Sequence, residues 1–107
     1  MRAGQLKHRV ELQRAARVQN ERSGQMEDTW ETYATVWAKV EPLSGGEQVY
    51  AHQVAADTSH LVRMRFLEGV LAADRVLHGG RPLYITRPIN VDERGIALEL
   101  LCTENIA

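Results

Sequence analysis

At 107 residues, 44% hydrophobic and 25% charged, the chain has an ordinary globular composition and the length of one domain, residues 1–107, with a thin core. Its formal net charge of −1 lacks the basic excess of a dedicated nucleic-acid binder. No apolar run approaches the ~18 residues of a membrane span, and Met1–Val10 has no signal-peptide apolar stretch, so a cytoplasmic protein with no membrane partner is expected. Cys102 is the only cysteine, which excludes an intrachain disulfide and a cysteine-based zinc site.

Strand signals begin at Leu6. Leu6, His8, Val10 and Leu12 alternate with Lys7, Arg9, Glu11 and Gln13, the period of a half-buried strand. Ala16 to Asp28 is polar, broken by Asn20, Ser23 and Gly24, and reads as a long exposed loop or a protruding hairpin tip. Trp30 to Pro42 gives the second strand, with Val36, Ala38 and Val40 on one face. Trp37 is the apolar member of the polar face, either covered by a loop or kept for a partner. Between Leu43 and Ser59, Ser44-Gly45-Gly46 breaks the strand pattern, and Glu47 to Ala56 carries helix formers. A helix of two or three turns is expected there, held by the barrel surface or by a neighbouring subunit. Ser59 to Leu67 alternates again, with His60, Val62, Met64 and Phe66 inward. Gly79-Gly80 supplies positive φ at both positions of a tight hairpin turn, Asn90 to Gly95 reads as a polar turn, and Ile96 to Cys102 closes the pattern. The sum is all-β: a small barrel of about six short strands, with one short helix or long loop between strands two and three.

The residues that carry chemistry do not converge. His8, His52, His60 and His78 lack metal-ligand spacing, and His8 and His60 occupy inward strand positions suited to core packing. Asp92-Glu93 are adjacent on extended chain and point apart, whereas acid–base work needs both carboxylates on one substrate. Ser44-Gly45-Gly46 lies outside any phosphate-loop pattern. Cys102 ends an apolar strand as a small hydrophobe. No catalytic residue, cofactor or metal is assigned, and an enzyme is not expected.

Charge is unevenly placed. Residues 1–22 carry Arg2, Lys7, Arg9, Arg14, Arg17 and Arg22 against Glu11 and Glu21, while residues 23–60 carry Lys39 against Glu27, Asp28, Glu31, Glu41, Glu47 and Asp57. A positive end followed by a negative middle suits head-to-tail contact between copies, and chance clustering on a solvated surface gives the same pattern. Arg2, Arg9, Arg14 and Arg17, with Trp30 and Trp37, are the candidate subunit or partner contacts.

Several blocks, in this order, resemble the bacteriophage head–tail joining proteins, also called head-closure or stopper proteins. They are Met1-Arg-Ala-Gly with Leu6, Arg9-Val10 and Leu12-Gln13; Thr29-Trp30-Glu31; Val36-Trp37-Ala38; Val40-Glu41-Pro42-Leu43-Ser44-Gly45; Ile89-Asn90 with Asp92-Glu93-Arg94; and Leu98 to Cys102. Arg81-Pro82 departs from the family pattern and is expected to shorten the hairpin's return strand. The resemblance implies a small β-barrel that forms a ring with copies of itself between the portal or adaptor protein and the tail protein. Such a ring closes the head and retains packaged double-stranded DNA, which passes through its channel without sequence recognition. The implied place is the virion head–tail interface, after assembly in the bacterial host cytoplasm. The excursion between strands two and three, here Leu43 to Ser59, then faces the channel, with Ser44, Gly45, Gly46, Glu47, Gln48, Val49 and Tyr50 as the gating segment. No Lys or Arg lies between Pro42 and Ser59, which suits a lining that must not grip phosphate. The alternative is a cytoplasmic small β-barrel module that binds a peptide or nucleic acid as a monomer.

Overall fold

The computed structural model describes residues 6–43 and 58–104. Six antiparallel strands form the fold: β1 (His8–Gln19), β2 (Met26–Pro42), β3 (His60–Arg65), β4 (Arg75–His78), β5 (Arg81–Asn90) and β6 (Ala97–Thr103). They close a barrel in the order β1-β2-β3-β6-β5-β4. The expected all-β barrel of six strands is therefore present. Two strands are longer than expected, with β1 at 12 residues and β2 at 17.

The alternation read from the sequence places the core. Val10 and Leu12 of β1, Ala38 of β2, Val62 and Met64 of β3, Val76 of β4, Leu83 and Ile85 of β5, and Leu98, Leu100 and Cys102 of β6 form one buried cluster. Two irregularities bend the sheet enough to close it, since an extra residue in one strand increases local twist. Leu12 pairs with Ala34 and Gln13 with Thr32, so Tyr33 is passed over; Ile85 pairs with Cys102 and Arg87 with Leu101, so Thr86 is passed over. The Thr86 hydroxyl donates to the Leu101 carbonyl at 2.9 Å and satisfies the gap.

The stretch from Ala16 to Asp28 is a hairpin rather than a loop. β1 and β2 stay in register from Arg14↔Glu31 to Gln19↔Met26. At the tip, the Asn20 side-chain oxygen accepts from the Arg22 and Ser23 amides at 2.8 and 3.3 Å. Beyond Gln13, β1 has no second neighbour among the described residues, and β2 meets β3 only from Ala38 to Pro42. The two strands therefore leave the barrel as a two-stranded arm, and the molecule measures 47 × 28 × 26 Å. Both faces of the arm are largely wet, so its sequence lacks apolar alternation although its backbone is paired.

The Gly79-Gly80 turn is as read, with φ of +60° and +80°. Pro82 does not shorten the return strand: β5 starts at Arg81 and pairs Pro82 with Leu77. His78↔Arg81 closes the two-residue turn by exchanging both backbone hydrogen bonds, so the next residue's nitrogen points away from β4 and proline costs no bond there. Asn90 to Gly95 is the polar turn expected, with the Gly95 amide donating to the Asn90 side chain at 3.0 Å. The expected helix of Glu47 to Ala56 lies outside the described residues.

Candidate functional site

Among the described residues, four places on the surface concentrate polar or aromatic groups, and each is built by elements that the barrel brings together. The first is the root of the arm. Arg14 on β1 donates from Nε and Nη2 to both carboxylate oxygens of Asp74, at 3.0 and 2.8 Å. The Tyr33 hydroxyl donates to the same carboxylate at 2.8 Å, and the Leu71 amide at 3.1 Å. Arg14 also reaches the Gly69 carbonyl at 2.6 Å and lies 4.7 Å over the Tyr33 ring. Asp74 is 3% exposed, so its carboxylate depends on these protein donors. Burial by itself would raise its pKa; the donors from Arg14, Leu71 and Tyr33 outweigh burial and hold it below the ordinary carboxylate value. Tyr33 is pushed up, first by burial and then by its bond to that carboxylate. The bulge at Tyr33 aims the phenol here, and the arm is thereby tied to the loop that precedes β4.

The second place is the outer face beside the arm. Arg75 lies 4.4 Å over the Trp30 ring and donates to the Gln13 side-chain oxygen at 2.6 Å, while Gln13 donates to Thr32 at 3.0 Å. The Trp30 and Tyr84 rings are 6.0 Å apart. Ala15, opposite Trp30, leaves room for the indole to lie across β1.

The third is a groove of about 510 Å³ where β2 loses β3 as a neighbour. Leu6, Val36, Met64, Phe66 and Leu67 supply its apolar surface, with Thr35, Trp37, Arg9 and Arg65 around them. Trp37 is 52% exposed, with the Arg9 guanidinium 5.2 Å from its ring. As to the two readings of Trp37, no loop among the described residues covers it.

The fourth is the barrel mouth from which residues 44–57 leave and to which they return. The Leu43 amide donates to the Ser59 carbonyl at 2.8 Å, and the Ser59 amide to the Cys102 carbonyl at 2.9 Å, so the two ends of the excursion are held together. His60 is buried and its Nδ1 meets Ser59 Oγ at 2.8 Å and Glu104 at 3.6 Å; Glu104 also pairs with Arg81. The His8 and His78 rings stack edge-on at 4.8 Å. His60 thus packs as expected, whereas His8 is exposed at the mouth rather than in the core, because the strand begins there. Burial lowers the pKa of His60 and of His78; Arg81 adds to both, His8 to His78, and Glu104 opposes the shift at His60. Cys102 is buried, and burial alone pushes its thiol up to about 12, the state of an inert core group. Among the described residues no three His, Cys, Asp or Glu side chains are grouped to hold a metal.

The candidate interface residues divide. Arg9 and Trp37 come together on the groove, Arg14 is committed to Asp74, and Trp30 is committed to Arg75. Arg17 lies on the arm. Arg2 and the segment Ser44 to Tyr50 lie outside the described residues. Sequence reading missed Asp74, Tyr33, Arg75 and Tyr84; Ala72-Ala73-Asp74 signalled a turn and gave no sign of a partner 60 positions away.

Together these features define a small closed β-barrel protein with a projecting arm and a recessed apolar groove. The phage head completion protein family matches residues 1–105, and the chain belongs to that family. The fold is similar to the solution structure of protein SF1141 from Shigella flexneri 2a, at 28% identity and a TM-score of 0.75 over 98% of this chain and 97% of that one. It is also similar in fold to a chain from the virion of a native gene transfer agent particle, at 20% identity and a TM-score of 0.64 over 94% and 96% of the two chains. Among curated proteins no sequence match was found.

Proposed function

We propose that this chain is a structural connector of a tailed phage or phage-like particle, forming a ring between the portal or adaptor and the tail. The ring closes the head and retains packaged DNA. The observation that carries this reading is the family match across residues 1–105. The anchored ends of the β2–β3 excursion support it, because a segment pinned at Leu43 and Ser59 is presented from one fixed point of the barrel. In this reading Ser44 to Tyr50 face the channel, and the partners are further copies, the portal or adaptor, the tail protein and the DNA.

The test is complementation of a particle lacking this gene. Glu47→Lys with Gln48→Lys adds two positive charges per copy next to phosphate, and should slow DNA exit or retain it abnormally. Shortening the segment at Gly45-Gly46 should give heads that package DNA and then lose it. Wild-type retention and titre from both variants would remove the channel assignment. Absence of the wild-type protein from purified particles would remove the connector reading itself and favour a free monomeric binder.

A further inference from the structure

Two surfaces of this chain complement each other and cannot meet within one copy. On one face of the arm, Arg14 pairs with Glu31, Ala16 with Thr29 and Val18 with Glu27. Paired residues of an antiparallel ladder share a face, and side chains two apart along a strand stay on it. Arg14 is drawn into the Asp74 carboxylate, so what that face offers outward is Ala16 and Val18 flanked by Glu27 and Glu31. Val18 is 42% exposed, and both glutamates are exposed. The surface is narrow, apolar and acidic.

The groove beside Trp37 is the converse. Its floor is apolar, through Val36, Met64 and Phe66, and its rim carries Arg9 and Arg65. Arg14, Arg63 and Arg81 each have a carboxylate, whereas Arg9 and Arg65 have no ion pair among the described residues. The groove also abuts β2 at Thr35 to Trp37, before the ladder with β3 begins at Ala38. That stretch of edge backbone can accept another strand.

An arm cannot reach its own groove. Val18 faces Glu27, eight residues before Thr35 on the same strand, which places it about 26 Å away at ~3.3 Å per residue. We propose that the arm of one copy seats its Ala16–Val18 face in the Trp37 groove of the next copy, with Glu27 and Glu31 against Arg65 and Arg9. The contact is heterologous, arm to groove rather than like to like, and such contacts propagate until a ring closes. The inference rests on the ring reading above and names the surfaces that build the ring.

The test uses particles assembled from variants of the full chain. Val18→Cys with Thr35→Cys, oxidised in purified particles, should give a ladder of covalent oligomers on a denaturing gel without reductant. Cys102 is buried and does not compete. Val18→Cys with Thr86→Cys, on β5, should give no ladder. As a second measurement, Arg65→Glu should lower incorporation into particles at least tenfold, and Glu27→Lys in the same chain should restore it. A folding defect would not be rescued by that second change. Particles holding normal amounts of the cysteine variant without a ladder would overturn the arm-to-groove contact and leave the ring standing. So would failure of the reciprocal charge change to rescue Arg65→Glu, while loss of the wild-type protein from particles would remove the ring first.

Discussion

Asp74 shows how much can depend on one buried carboxylate. It terminates hydrogen bonds from Arg14, Tyr33 and the Leu71 amide, from three separate parts of the chain. Asp74→Ala strands a phenol and an amide and removes the arginine's partner. Leaving the Leu71 amide and the Tyr33 phenol without their shared acceptor costs about 1–3 kcal/mol, and the half-exposed Arg14, which water can resolvate, adds little. Urea denaturation should read this as a lower midpoint with an unchanged slope. His60 gives a pH dependence of predictable sign. Its folded pKa lies below the ordinary 6.5, with Glu104, Arg81, His78 and Ser59 around it. The unfolded chain therefore takes up its proton first as pH falls. The stability this group contributes is intact above pH 6.5 and is lost on acidification through its depressed pKa. Melting temperature should drop between pH 7.5 and 5, and His60→Gln should flatten that slope. Such residues were legible in kind and not in partnership. The alternation marked His60 as inward, but Asp74 finds partners 41 and 60 positions away, a separation over which local pattern carries nothing.

At the scale of elements, what the sequence disclosed follows from where water is. Val10 with Leu12, Val62 with Met64, and Leu98 with Leu100 alternate because one side of each strand is dry, and the period is visible. The arm is wet on both sides, so Ala16 to Gln19 carry no such mark although each residue is in register with β2. The β4–β5 turn was legible for a different reason, the conformational freedom of two glycines. That freedom is used, and no atom beyond the adjacent residues lies within 4 Å of a Cβ placed at either position. Substitution there should report backbone strain alone. Gly79→Asn should leave stability within ~0.5 kcal/mol, since asparagine tolerates a left-handed φ. Gly80→Val, β-branched at φ +80°, should lower it by about 1–2 kcal/mol, or more, by the same denaturation measurement.

For the molecule as a whole, one cluster of inward side chains from all six strands is the only large apolar mass among the described residues. Leu100→Ala should cost about 2–5 kcal/mol, a large share of the ~5–15 kcal/mol available to a domain of this size. Calorimetry should show a single transition at lower temperature. The closure of the barrel has a further consequence. Around the ring of strands, β1 runs against β2 over its whole length, but it meets β4 only at Glu11 to Gln13 against Arg75 to Leu77. A closed cylinder opens where its clasp is shortest. Amide exchange should accordingly be graded, with β4 losing protection early and the barrel half of β1–β2 and β3–β6 holding out until the whole chain unfolds. The barrel would then behave as a curled sheet fastened at one edge, able to unclasp and reclose without surrendering the hairpin that carries the arm.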